Sequence, residues 1–316
     1  MAKIIAELCQ NHNGNIDLLK EMIWSAADCG ATHAKIQTIY SADLTFRERF
    51  EDGVTDNSGV VTSITRPYSP EFARLQKLDL SVDVHSQFID ECNAAGIIPL
   101  TTIFNRSRLK LILDLGFKEI KIASYDCASF PLIKDLKNKF EKIYVSTGAT
   151  HDHEIETTAD ILNDQNFFFL HCVTIYPTPI DKLNLNRINY LRHFTNQVGF
   201  SDHTQSDLTG LDADIVALWK GANIIERHFT ILDASQTKDG PVSINPEKLK
   251  NLVEYSTMKN DELYEHVKQI HNYEIMLGSE SHTLSDEELL NRDYYRGRFA
   301  SIINGRTIYN WEEVNL

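Results

Sequence analysis

Eight short runs rich in β-branched and aromatic residues, at 4–8, 33–37, 97–102, 119–124, 142–146, 167–171, 197–201 and 223–228, punctuate the chain. Helix-like amphipathic segments separate most of them, most clearly at 16–29, 107–115, 154–162 and 207–219. Short apolar strands alternating with helices are buried on both faces, which demands a parallel sheet covered by helices. Eight such units in 316 residues predict an α/β fold, a (β/α)8 TIM barrel with a short C-terminal tail. The barrel is assigned to 1–278, and the tail, 279–316, is too short for a core of its own.

One connection is out of proportion. Residues 39–95 carry an Asp/Glu/Ser/Thr-rich stretch, a helix start at Ser69-Pro70-Glu71 and a helix-like segment at 84–95. An insertion of that length on the strand-exit face reads either as a substrate lid or as decoration. After the eighth run, Asn245-Pro246-Glu247 predicts a helix continuing to about residue 277.

A hydrophobic fraction of 42% with 24% charged residues fits a globular chain. The net charge of −14 argues against a nucleic-acid partner, since phosphate backbones are met by clustered Lys and Arg. The five cysteines are scattered without a CxxC pair, so free, mostly buried thiols in a reducing compartment are expected. Met1–Glu7 enters a strand at once without a signal-peptide pattern, and no apolar run approaches the ~18–20 residues of a membrane span. The expected location is the cytoplasm.

Barrel enzymes carry their chemistry at the C-terminal ends of the strands. There this chain places Glu7, Lys35, Gln37, Thr102, Lys121, Ser124, Ser146 and Ser201, with Asp126 and Tyr176 just beyond strands. Lys35 alternates with apolar neighbours and so points into the barrel. A lysine inside a core is costly unless paired. Lys35 and Lys121, ringed by hydroxyls, therefore predict a bound anion; the alternative pairs them with Glu7 and Glu226 as buried ion bridges. Ser201-Asp202-His203-Thr204 and Glu226-Arg227-His228-Phe229-Thr230 end neighbouring strands. Their two imidazoles predict a metal site. His12, His33 and His85 read as surface or supporting residues, and His151-Asp152-His153 as a helix start. His171 and Cys172 point to opposite faces and form no nucleophile pair.

Glu7…Asn11-His12-Asn13-Gly14, Ala34-Lys35-Ile36-Gln37-Thr38, Lys121-Ile122-Ala123-Ser124, Ser146-Thr147-Gly148, Tyr176-Pro177-Thr178-Pro179 and the two histidine motifs occur in order between about residues 3 and 250. Together they resemble the sialic acid synthase family, which includes N-acetylneuraminate, legionaminate and pseudaminate synthases. The resemblance implies condensation of phosphoenolpyruvate with the open-chain aldehyde of an N-acetylated amino sugar. The product is a nine-carbon 2-keto-3-deoxy acid, and phosphate leaves by C–O cleavage. It also implies a divalent ion, typically Mn2+, with Mg2+ or Co2+ as alternatives, and a homodimer. On matching positions His203 and His228 resemble the metal ligands. Lys35, Thr102, Lys121, Ser124, Ser146 and Ser201 resemble phosphoenolpyruvate contacts, and Gln37, Asp126, Tyr176 and Asp239 fall near the sugar. Glu7 or Glu226 is expected to orient or deprotonate the attacking water.

Departures from the pattern matter as much. Tyr125 stands where the family usually has glycine, which predicts a reshaped acceptor pocket, and Ile103 replaces a common proline. Around Asp239 only the aspartate and Ser243 align. Many relatives end in an antifreeze-like domain that lends an arginine to the partner's sugar site. Residues 298–303 resemble its start, so the tail is expected to be a truncated remnant of it. Acceptor recognition then falls to the insertion at 39–95, to Arg296 and Arg298, or to a second chain. Two other readings compete: a 3-deoxy-octulosonate-phosphate-type synthase, and a non-catalytic sugar-binding or partner barrel.

Overall fold

A computed structural model describes the whole chain, Met1–Leu316. Strands β1 (Lys3–Cys9), β2 (His33–Thr38), β3 (Ile98–Ile103), β4 (Glu119–Ile122), β5 (Lys142–Ser146), β6 (Phe167–His171), β7 (Val198–Asp202) and β8 (Ile224–His228) close in sequential order into a barrel with every pair parallel. All eight expected strands are present. The fourth stops early, because Ser124–Asp126 turns into a 3-10 helix.

Helix limits follow local chemistry. Ile16–Asp28 starts where the Asn15 side chain accepts from the N–H groups of Asp17 and Leu18. Val82–Ala95 is capped by Ser81 and ends at Gly96 in the left-handed region. The expected helix at 207–219 is two pieces, Ser206–Thr209 and Asp212–Trp219, parted by Gly210 at φ 58°. The helix expected to run to 277 is three: Pro246–Thr257, Asn260–Val267 and Tyr273–Leu277. One straight rod of that length would span about 48 Å and leave the barrel wall. The breaks let Leu249, Leu252, Leu263, Val267 and Met276 all reach the core. No helix is long and apolar enough to cross a membrane. All five cysteines are free thiols, four of them buried.

Inside the barrel the side chains form layers. Ile5, Leu100, Tyr144, Phe168, Leu170 and Ile224 make an apolar plug. At the N-terminal end of the strands His33, Glu119 and Lys142 gather around the Tyr144 hydroxyl. At the other end the register aligns Glu7 with Lys35 on one side and His228 on the other. It also sets Gln37 beside Thr102, Thr102 beside Lys121, and Glu226 beside Ser201.

The insertion and the tail fold against each other over that second end. After 3-10 turns at Ser41–Asp43 and Glu48–Phe50 come a hairpin (Val54–Thr55 with Val61–Ser63) and the helix Tyr68–Gln76. The tail supplies the helix Asp286–Tyr295 and the hairpin Ser301–Ile303/Arg306–Ile308. Ile39, Leu44 and Leu75 bury Phe299, and the Arg47 guanidinium donates to the carbonyls of Asp293, Tyr294 and Arg296. The tail thus borrows its apolar partners from the insertion.

Candidate active site

The C-terminal ends of the strands open into a cavity of about 450 Å³. Its floor is a buried quartet of two lysines and two glutamates. Lys35 pairs with Glu7 and donates to Thr102 Oγ1 at 3.0 Å; Lys121 donates to Glu226 Oε2 at 2.7 Å. Glu226 Oε1 accepts from Ser201 at 3.3 Å, and Lys35 lies 3.8 Å from Glu226. The ion-bridge alternative therefore describes these lysines. Donor counting still leaves room for an anion. An ammonium has three N–H donors, so Lys121 keeps two and Lys35 one, all in a cavity also lined by Thr102, Ser124 and Ser146.

Burial shapes the charges. It pulls Lys35 down to about 7, assisted by Lys121 and resisted by Glu226. Burial alone would raise Glu226, but Lys121 and Lys35 hold it at about 2, so it stays a carboxylate. Glu7 Oε1 has no partner although buried, and a buried acceptor left unpaired is costly. That oxygen is available to a water or a substrate hydroxyl.

His203 and His228 meet beside the quartet with ring centroids 5.5 Å apart. Nδ1 of His203 faces the Val173 carbonyl at 3.1 Å, which places its proton there and leaves Nε2, 3.2 Å from the Tyr176 hydroxyl, as the acceptor. Burial, with His228 alongside, pulls His203 down to about 3, and burial lowers His228 as well. Both rings are neutral at pH 7, as metal ligands must be. The buried Nδ1 of His228 lacks any partner. These observations fit a metal. The donor set differs from the expected pair, however: the donor atoms of His228, Asp239 and Cys9 lie within 4.8 Å of one another, and His203 falls outside that group. Asp239, expected at the sugar, stands among the groups that could hold a metal ion. Cys9 was not foreseen; as one free thiol among five it carries no local signal.

The charged residues of the histidine motifs have a different task. Arg227 and Asp202 point away from the cavity and pair with each other, fully buried, between β7 and β8, with Asp214 4.0 Å from Arg227. They lock the two strands that present His203 and His228. The Asn11–Gly14 stretch is also structural. Asn11 donates to the Phe229 carbonyl and Ser243 Oγ, Asn13 to the Gln236 carbonyl, and His12 Nδ1 accepts from the Gly14 N–H. Gly14 sits at φ 78°, where a Cβ would run into the Lys77 carbonyl.

Two expected contacts are corrected. Asp126 does not reach the cavity: it is buried, accepts from Ser129 Oγ and Asn310 Nδ2, and is raised by burial. The 3-10 turn that ends β4 rotates it into the tail. Ser201 lies behind the lining and reaches the cavity through its contacts with Glu226 at 3.3 Å and Ser146 at 3.4 Å. His12, His33 and His85 are buried and hydrogen-bonded, not at the surface.

The wall facing the quartet comes from the insertion, the tail, Gln37 of β2 and the loops after β1, β4, β6 and β8. Gln37, Tyr176 and Asp239 are joined by Gln10, Arg66, Arg74, Tyr125, Lys238, Asn291, Tyr295 and Arg298. Tyr125 stacks on Tyr295 at 4.9 Å and lines the cavity. Arg74 chelates Glu71 through two 2.9 Å bonds, Arg298 pairs with the same carboxylate, and together they outweigh burial to hold Glu71 at about 2. Four cations, Arg66, Arg74, Lys238 and Arg298, thus face Glu71, Asp239 and Glu287 at the rim.

A closed parallel barrel with lysines, carboxylates and imidazoles converging at its strand ends defines an enzyme of the barrel class. The NeuB family model matches residues 22–268, and the chain belongs to that family, whose members are synthases joining phosphoenolpyruvate to amino sugars. It is 32% identical to an N,N'-diacetyllegionaminic acid synthase of Campylobacter jejuni, over 79% of this chain and 73% of that one. A pseudaminic acid synthase of the same species is 26% identical, over 94% of this chain and 81% of its own length. The crystal structure of an N-acetylneuraminic acid synthetase from Leptospira borgpetersenii in complex with citrate superposes with a TM-score of 0.69 at 25% identity, covering 93% of this chain and 90% of that one.

Proposed function

We propose that this chain condenses phosphoenolpyruvate with the open-chain form of an N-acetylated amino sugar, forming a sialic-acid-type 2-keto-3-deoxy acid and releasing phosphate. The observation that carries the reading is the Glu7–Lys35–Lys121–Glu226 quartet facing a polar cavity in a barrel of this family. The spare N–H groups of Lys121 and Lys35, with Thr102, Ser124 and Ser146, hold the phosphate and carboxylate of phosphoenolpyruvate. Fixed there, its methylene carbon faces the sugar aldehyde across the cavity, and positioning removes much of the entropic barrier. As that carbon bonds to the aldehyde, positive charge develops at the second carbon of the enol phosphate. Glu226, already ionised, stabilises it. Glu7, through its unpartnered Oε1, takes one proton from the water that adds there and passes it to the alkoxide left by the aldehyde. As the C–O bond to phosphate breaks, the new hydroxyl becomes the keto group, and its proton replaces the one that Lys35, with its proton held near neutrality, gives to the departing phosphate.

His228 and Asp239, with His203 close by, would hold a divalent ion that supplies Lewis acidity to the aldehyde oxygen. Mn2+ is the first ion to test and Mg2+ or Co2+ the next, since imidazole and carboxylate donors suit them. Acceptor recognition falls to the rim: Gln37, Tyr176, Arg66, Arg74, Arg298 and Asn291. The tail, 279–316, contributes Asn291, Tyr295 and Arg298 to the acceptor side of the cavity. A cytoplasmic homodimer, with room for a second chain at the mouth, completes the reading.

Purified protein incubated with phosphoenolpyruvate, Mn2+ and a panel of N-acetylated sugars, plain and phosphorylated, should release phosphate and yield a product whose mass is sugar plus pyruvate. Release with arabinose 5-phosphate alone would favour the octulosonate-type reading, and none with any sugar the non-catalytic barrel.

A further inference from the structure

Cys9 is the last residue of β1 and holds φ at 40°, a left-handed conformation that a cysteine adopts only at a cost. Its thiol is fully buried and donates to Asp239 Oδ2 at 3.2 Å. The contact is built from both sides. Asn11 ties the segment after Cys9 to Phe229 and Ser243, Asn13 ties it to Gln236, and Ser243 Oγ donates to the Asp239 carbonyl at 2.7 Å. The third donor, His228, is 8% exposed, and its Nδ1 has no partner. A tetrahedral ion with a sulfur at about 2.3 Å and an oxygen at about 2.0 Å sets those ligands about 3.5 Å apart. Cys9 Sγ and Asp239 Oδ2, at 3.2 Å, are already that close, and the other donor pairs, within 4.8 Å, need close by about 1.5 Å at most.

We infer that Cys9 is a thiolate ligand of the divalent ion, completing with His228 and Asp239 a sulfur–nitrogen–oxygen site that prefers thiophilic ions such as Co2+ and Zn2+ to Mg2+. The sulfur–metal bond forms as the S–H bond breaks, and the proton passes to solvent. This rests on the metal site of the proposed function and goes past the expected pair of histidines. It also accounts for a thiol held at positive φ against a carboxylate, where glycine would be less strained.

Cobalt gives a readout independent of turnover. The wild-type protein loaded with Co2+ should show both the visible d–d bands of a bound ion and an intense thiolate-to-cobalt charge-transfer band in the near ultraviolet. Cys9→Ser should lose the charge-transfer band, keep weaker d–d bands and bind Co2+ at least about tenfold less tightly, with Mg2+ affinity little changed. Cys9→Gly, which adopts φ 40° freely, should behave the same way and separates ligand loss from misfolding. One bound cobalt without the band, or a band that survives in Cys9→Ser, overturns the thiolate and leaves the synthase reading intact. Failure to bind cobalt at all overturns the thiolate and the metal site together.

Discussion

The two ends of the barrel hold nearly the same chemistry and use it differently. At the N-terminal end of the strands Glu119 accepts from His33 at 3.0 Å, from Tyr144 at 2.5 Å and from Lys142, so both carboxylate oxygens are satisfied. At the C-terminal end Glu7, Lys35, Lys121 and Glu226 form an equally buried group, yet Glu7 Oε1 and His228 Nδ1 lack partners and the lysines keep unused donors. A saturated cluster is cement, whereas one with surplus donors and acceptors can bind a ligand. The apolar plug of Ile5, Leu100, Tyr144, Phe168, Leu170 and Ile224 insulates one from the other.

The largest test of that contrast is a pair of charge removals. Lys121→Met/Glu226→Gln removes both charges together, so no buried charge is stranded; stability should stay close to wild type while kcat/KM falls by about 10³-fold or more. Glu119→Gln at the other end should cost about 2–4 kcal/mol of unfolding free energy yet leave kcat/KM within about twofold. Wild-type turnover in the first variant, or a large kcat loss in a folded second, would erase the distinction. His228→Ala should abolish turnover and ion binding at equilibrium dialysis, and near-normal activity would refute its metal role. Arg298→Ala at the rim should raise KM for the sugar about tenfold and leave KM for phosphoenolpyruvate unchanged; equal rises in both would remove the rim from acceptor recognition.

The smallest effects are in pH. Glu119 and Glu226 are both held at about 2 against an ordinary 4.5, so each contributes stability above pH 4.5 that is lost as pH falls towards 2. Lys35, at about 7 against 10.5, gives a slope of the same sign in a higher window, because burial penalises its charged form in the folded chain alone. Between those values the unfolded chain binds the extra proton, so stability climbs as pH rises from 7 to 10.5. Denaturant midpoints measured across pH should show both limbs. Glu119→Gln should flatten the acid limb and Lys35→Met the alkaline one, and limbs unmoved by either substitution would detach these residues from the pH response.

Much of this was legible before any coordinates. A lysine amid the apolar residues of a strand, as Lys35 and Lys121 are, announces a buried negative partner, here Glu7 and Glu226. The hydroxyls and histidines at strand ends follow from the barrel rule. Asp126 misled because a turn two residues past a strand can aim a side chain anywhere, and here it aims at Asn310. Arg298 was legible in the tail, but Cys9 and Arg74 escaped for another reason. Cys9 and Asp239 are 230 residues apart, and Arg74 and Arg298 converge on Glu71 from the insertion and the tail. No local pattern encodes such meetings.

The order of strands, the face each presents and the side chains at each strand end are periodic properties of short segments, and the chain alone determined them. Whether a lysine pairs with glutamate or waits for an anion, which histidine faces a carboxylate and a thiol, and which arginines reach the mouth depend on distances of a few ångströms between remote segments. Those distances are set by how the closed barrel, the insertion and the tail pack together, so only the tertiary structure decided them.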